Sequence, residues 1–195
     1  MSTVDIFILL LLCVIVSLCV VVAIFLCGRD KNHFSGEMRN FPVTVDGHEF
    51  WISRSCAVVG VMLKTDGKEP MVLANKRGPG CPDFVGYWNI PCGYIDYNET
   101  LQEAVVREVY EETGLVTKPD NWEFLSINSD PKDSNKQNIT VRWISVYNEN
   151  MGTFNTEHSE KDEVEDVKWI PLSETDKYEW AFGQERLLKE IIDAI

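Results

Sequence analysis

The chain has 195 residues, of which 45% are hydrophobic, and it carries a formal net charge of −13. Such acidity excludes a scaffold that holds nucleic acid on a basic surface, so no nucleic-acid partner is expected. The length beyond the apolar N-terminus suffices for one domain with its own core.

The first element is the run Ile6–Leu26, 21 residues interrupted only by Ser17, Cys13 and Cys19. That is long enough to cross a bilayer as a helix. A cleaved signal peptide would want a basic segment ahead of a shorter apolar core, but here Asp5 precedes the run and Arg29, Lys31 and Arg39 follow it. The spacing predicts a single transmembrane helix within residues 1–27, with the carboxyl side, and so the folded domain, in the cytoplasm. Residues 28–46 are polar and read as a linker, and residues 47–195 as the folded domain. Cys56, Cys81 and Cys92 remain beyond Cys27, an odd number for a disulfide framework, and they read as free thiols of a reducing compartment.

Within the domain, His48–Ser53, Cys56–Leu63 and Met71–Lys76 read as strands, the second apolar enough to be central. Arg77–Phe84 (RGPGCPDF) reads as a loop. Residues 101–113 form a well-marked helix: Thr100 and Glu103 fit a capping box, Gly114 fits the C′ position, and Leu101, Val105 and Val109 make an apolar stripe. Trp122–Asn128, Ile139–Tyr147 and Val164–Ile170 read as further strands, with polar loops at 130–137 and 155–162. Gln184–Ile195 carries Leu187, Leu188, Ile191, Ile192 and Ile195 at helical spacing and should dock on the sheet. Strands on either side of a crossing helix imply an α/β fold with a mixed sheet between helices.

The stretch Gly93–Leu115, GYIDYNETLQEAVVREVYEETGL, sets six acids against Arg107. Glu108, Glu111 and Glu112 stand at i, i+3 and i+4 of the helix, which directs them to one side. Glu108 and Glu112 fall in or beside the apolar stripe and Glu111 at its edge, so ionised groups face the packed side, where unpaired charge is costly. Several carboxylates converging with oxygen-only chemistry suit a hard cation, Mg²⁺ or Mn²⁺.

This stretch resembles the signature box of the Nudix hydrolases: Gly, five residues, Glu, seven residues, Arg-Glu, an aliphatic, any residue, Glu-Glu, any residue, Gly, an aliphatic. The matching residues are Gly93, Glu99, Arg107, Glu108, Val109, Glu111, Glu112, Gly114 and Leu115, and no fixed position departs from the pattern. Tyr87–Pro91 resembles the family's approach strand, and Glu165–Pro171 its late strand. The resemblance spans roughly residues 45–195 and implies a Nudix-type α/β/α sandwich and divalent-metal-dependent cleavage of a pyrophosphate bond. Glu108, Glu111 and Glu112 are the ligand candidates by spacing. By resemblance, the Gly93 carbonyl completes the set, Arg107 fixes a glutamate, and Glu99 and Gly114 are structural.

Glu112 is the first choice as general base, with Glu157, Glu160 and Glu163 as loop alternatives. Arg54, Lys76 and Arg77 are candidate phosphate-binding cations. Trp51, Trp88, Trp143, Trp180 and Phe182 are candidates to stack on a base, although aromatics in strands more often fill cores. His33, His48 and His158 lack partner spacing. The family associates a proline some fifteen positions beyond the box with ADP-ribose, and Pro131 lies 16 positions after Leu115. The expected partner is a nucleoside diphosphate-linked small molecule, ADP-ribose first. A nucleoside triphosphate cleaved to the monophosphate is the alternative, and a non-catalytic nucleotide sensor or membrane-tethered adaptor is the second. The intact glutamates speak against the sensor.

Overall fold

The computed structural model describes residues 40–67, 69–132, 137–157 and 162–194. The transmembrane reading of residues 1–27 and most of the expected linker lie outside these residues, as do His33, His158 and Glu160. Among the described residues, no helix is long and apolar enough to cross a membrane.

Residues 40–53 belong to one compact unit and residues from Arg54 onward to another. In the first, β1 (Phe41–Val45) pairs antiparallel with β2 (His48–Ile52), Phe41 opposite Ile52 and Val45 opposite His48. Asp46 and Gly47, at φ of 50° and 80°, make the two-residue turn that such a hairpin favours. The strand β1 therefore begins inside the span expected to be linker. Its alternation of Phe41, Val43 and Val45 is short and is broken by Pro42, a residue that demotes a strand signal.

The second unit is a seven-stranded mixed sheet between two helices. Its strands are β3 (Cys56–Lys64), β4 (Met71–Arg77), β5 (Trp88–Asn89), β6 (Cys92–Tyr94), β7 (Glu123–Asn128), β8 (Ile139–Val146) and β9 (Val164–Pro171). Its helices are α1 (Leu101–Thr113) and α2 (Gln184–Ala194). β3 runs parallel to β8 along residues 56–63, and the other pairings are antiparallel. Alternation along β3 and β4 divides the core. Val58, Met62 and Leu73 pack with Ala104, Val105 and Val109 of α1. Val59, Val61, Val72 and Ala74 pack with Leu187, Leu188 and Ile191 of α2.

One irregularity positions the site. β3 and β4 pair only at Leu63–Val72 and Lys64–Met71. Beyond that they diverge: β6 takes the edge of β3 at Ala57–Val59, and β5 takes that of β4 at Asn75–Lys76. The chain between β5 and β6 fills the wedge, where the Pro91 carbonyl accepts the Gly60 amide at 2.9 Å. A Cβ at Gly60 would lie 2.8 Å from a methyl of both Val105 and Val109, so its absence lets α1 settle close over the split.

Candidate active site

The helix α1 starts and stops as its sequence dictates. The Thr100 hydroxyl accepts the Glu103 amide, the Glu103 carboxylate accepts the Thr100 amide, and Gly114 closes the helix in the left-handed conformation at φ 74°. This fixed start brings Arg107 over the loop that precedes the helix. Its guanidinium donates to both oxygens of Glu99, at 2.6 and 3.0 Å, and to the Tyr94 carbonyl at 2.9 Å. The remaining nitrogen donates to Glu108 at 2.8 Å and to Glu111 at 3.1 Å. Glu99 in turn accepts the Asp96 amide at 2.7 Å. Arg107 is thus the tie that fixes the acids, and Glu99 is the brace that fixes Arg107.

Glu108 and Glu112 reach adjacent residues of β6. A Cβ on Gly93 would fall inside the Glu108 carboxylate, so only glycine admits that approach. One residue earlier, the Cys92 amide donates to Glu112 Oε2 at 2.9 Å. Burial, with the charge of Glu108 adding, pushes the Glu112 carboxyl well above its usual range, against the Cys92 amide and the Arg77 charge, which lower it. Glu108 rises to about 7, mainly through burial, with Glu111 and Glu99 adding and Arg107 opposing. Glu111 is the outermost of the three, its side chain 43% exposed.

A divalent cation fits this arrangement in its chemistry. The donors are carboxylates and a backbone carbonyl, Glu108 and Glu112 flank Gly93, and both acids sit where added positive charge would favour their ionised forms. Among the described residues, no three acid, histidine or cysteine side chains already converge as a cage. The three acids share a side of α1. Two of them, Glu108 and Glu111, also share the Arg107 guanidinium, and Glu112 accepts the Cys92 amide.

The pH dependence follows from Glu108. Its folded value of about 7 lies above its ordinary 4.5. The folded state therefore holds this proton more tightly, and the associated stability is complete below about pH 4.5 and is lost as pH rises through about 7. Metal-free protein should melt at a lower temperature at about pH 8 than at about pH 5.5. Glu108→Gln should reduce that difference in thermal unfolding scans, the raised Glu112 carboxyl supplying the remainder. An unchanged difference in the variant would contradict the burial argument.

The three candidate phosphate-binding cations are each engaged. Arg54 donates to the carbonyls of Ser129, Asn138 and Gln137, and so pins the loop between β7 and β8. Lys76 pairs with Glu165 at 2.8 Å and alternates with Val72 and Ala74 onto the face that carries α2, away from α1. Arg77 pairs with Asp83 at 2.9 Å and is the one of the three whose charge bears on Glu112. Of the base alternatives, Glu163 is drawn toward the site. Its carbonyl accepts the Gly78 amide at 2.7 Å and the Cys81 thiol at 3.2 Å, and its charge raises Glu112. Glu157 is exposed.

Trp88, Trp143 and Trp180 are buried and belong to the core, whereas Trp51 is exposed on the β1–β2 hairpin. Pro131 lies exposed in the turn after β7. Three contributors escaped the sequence reading: the Tyr94 carbonyl, the Cys92 amide and Asp83. The first two are backbone groups whose side chains carry no trace of the role.

A split mixed sheet between helices, with an arginine-braced acidic helix over the split, defines the Nudix class. The NUDIX domain model matches residues 54–191, and the chain belongs to the Nudix family. Among curated relatives, an ADP-ribose pyrophosphatase of Methanocaldococcus jannaschii is 26% identical over 144 residues, which is 73% of this chain and 76% of that protein. Several further curated relatives are matched over less than half of their own length. The NUDIX domain of Shewanella oneidensis NrtR, solved with ADP ribose, superposes with a TM-score of 0.62 at 23% identity, over 73% of this chain and 89% of that one. A bifunctional NMN adenylyltransferase/ADP ribose pyrophosphatase of Francisella tularensis, solved with AMP and a Mn ion, gives 0.59 at 18% identity, over 73% of this chain and 42% of that one. At these identities the two structures share a fold with this chain.

Proposed function

We propose that this chain hydrolyses the pyrophosphate bond of a nucleoside diphosphate linked to another group, with ADP-ribose the preferred substrate and Mg²⁺ or Mn²⁺ the activating ion. The observation that carries the reading is the seating of two acids with raised proton affinity on adjacent residues of one strand, Glu108 against Gly93 and Glu112 on the Cys92 amide. Glu108, Glu111, Glu112 and the Gly93 carbonyl would hold the ion, which when bound neutralises phosphate charge and acidifies water. Arg107 and Glu99 keep the acids in place. Glu112 accepts the proton of the attacking water, and its raised proton affinity suits a base working near neutral pH. Water adds to one phosphorus and the bridging oxygen leaves on the other, so ADP-ribose gives AMP and ribose 5-phosphate.

The likeness to the archaeal ADP-ribose pyrophosphatase favours this substrate class. The commitments of Arg54, Lys76 and Arg77 point the same way, because a terminal triphosphate would ask for more available cations. The expected kcat/KM is at least about tenfold higher for ADP-ribose than for any nucleoside triphosphate, and chelator abolishes both activities. The reverse ranking would move the assignment to a triphosphate pyrophosphohydrolase.

The N-terminal run Ile6–Leu26 supports a membrane anchor with the catalytic domain, residues 47–195, on the cytoplasmic side. The full chain should stay with membranes after alkaline carbonate extraction and be shielded from protease added to intact cells. Recovery of a soluble form beginning near residue 28 would overturn that topology.

A further inference from the structure

Two loops far apart in sequence bring Phe84 and Phe182 together. Their rings stand 4.9 Å apart in an edge-to-face arrangement, and Tyr87 lies 5.6 Å from Phe84. Both phenylalanines have left-handed backbones, with φ of 51° and 58°. That conformation is a rarity for a bulky residue and is retained where the surroundings enforce it. Their burial is the opposite of the core tryptophans': Phe84 is 41% and Phe182 42% exposed, against 8% for Trp88 and 7% for Trp180. The Arg77 guanidinium lies 4.9 Å from the Phe182 ring centre and is held there by Asp83, through its carbonyl at 3.1 Å and its carboxylate at 2.9 Å. An aromatic pair packed only to close two loops would be covered. This one presents ring surface to the outside, with the buried Arg77 guanidinium set behind the Phe182 ring.

Short contacts join the cluster to the acids. The Phe84 loop runs through Tyr87, whose carbonyl accepts the Arg77 amide at 2.8 Å, into β5 and then Cys92, whose amide holds Glu112. Two residues after Phe182, buried Gln184 accepts the Ile90 amide at 2.7 Å and approaches the Cys92 sulfur at 3.8 Å. Both loops therefore end on the Ile90–Cys92 segment, whose Cys92 amide donates to Glu112 of α1.

We propose that Phe84, Phe182 and Arg77 form the subsite on which the planar base of the nucleoside diphosphate stacks. Aromatic faces and a guanidinium plane are the groups on which bases stack, and the diphosphate would then extend toward Glu112. This rests on the hydrolase reading for its substrate, but its test is a binding measurement that does not require turnover. AMP and ribose 5-phosphate are titrated calorimetrically into the full chain in the presence of Mg²⁺. They share sugar phosphate chemistry and differ in the base. The wild type should bind AMP at least about tenfold more tightly than ribose 5-phosphate. Phe182→Ala and Phe84→Ala should erase that preference while leaving ribose 5-phosphate affinity unchanged, and Phe182→Trp should keep it. Phe182→Leu retains apolar bulk without a π face and should behave as the alanine variant, so the test survives if alanine compromises folding. The subsite is overturned if the wild type shows no preference for AMP, or if the preference persists in the alanine and leucine variants. AMP preference without ADP-ribose turnover would overturn the hydrolase reading and keep the subsite; turnover without AMP preference would do the reverse.

Discussion

Glu112→Gln is expected to lower kcat by about three orders of magnitude, the range associated with loss of a general base or an ion ligand. The amide is isosteric, and its oxygen still accepts the Cys92 amide, the 2.9 Å bond that Glu112 makes. The fold should therefore survive. Metal-free stability should hold or rise, because a carboxyl whose proton affinity is raised by burial resists ionisation in place. Single-turnover kinetics with ADP-ribose, together with a thermal unfolding scan, separate the two effects. Turnover within a few-fold of wild type would contradict the assignment and pass the proton to Glu163, whose charge reaches Glu112, or to another acid of that loop.

Arg107→Ala is expected to damage stability and activity together. The guanidinium is the shared partner of Glu99, Glu108 and Glu111. Its removal leaves Glu99 and Glu108, with side chains only 14% and 12% exposed, facing one another's charge without a cation. Breaking a buried pair on one side costs about 3–5 kcal/mol. Because Arg107 is itself 27% exposed, the loss should fall toward the lower end or below it, about 2–3 kcal/mol. Denaturant unfolding should show a lower midpoint with an unchanged slope. Arg107→Lys should recover only part of the loss, since an ammonium cannot bridge both Glu99 oxygens and the Tyr94 carbonyl in one plane. A variant as stable as wild type would mean that the acids do not depend on this tie.

Much of this site is legible in the sequence because its logic is local. Thr100, Glu103 and Gly114 bound the helix through contacts within a few residues. The coincidence of Glu108 and Glu112 with the stripe of Leu101, Val105 and Val109 announces acids on the packed side of a helix. β3, β4, β7, β8 and β9 follow from alternation and turn residues, within a residue at their ends, whereas β5 and β6, of two and three residues, are too short to carry a period. What the sequence conceals is long-range. Arg54 and Lys76 are formally available cations, and only the fold shows that one is spent on the carbonyls of the β7–β8 loop and the other lies on the α2 face. Phe84 and Phe182 meet because the sheet splits between β3 and β4 and the chain folds back over the split, a geometry that no periodicity encodes. The Cys92 amide and Tyr94 carbonyl, which hold Glu112 and Arg107, are backbone groups and are blind to any reading of side chains.

We propose that Glu108, Glu111 and Glu112 together form the seat of a divalent ion. Titration of Mn²⁺ into the full chain, followed by the loss of the free-ion electron paramagnetic resonance signal, tests it without assuming a substrate. The wild type should take up Mn²⁺ at micromolar to millimolar concentration, and Mg²⁺ should compete. The chain with all three glutamates changed to glutamine, folded by circular dichroism, should lose that uptake by at least about tenfold in affinity. Equal Mn²⁺ binding in the two proteins would place the ion elsewhere and contradict the account.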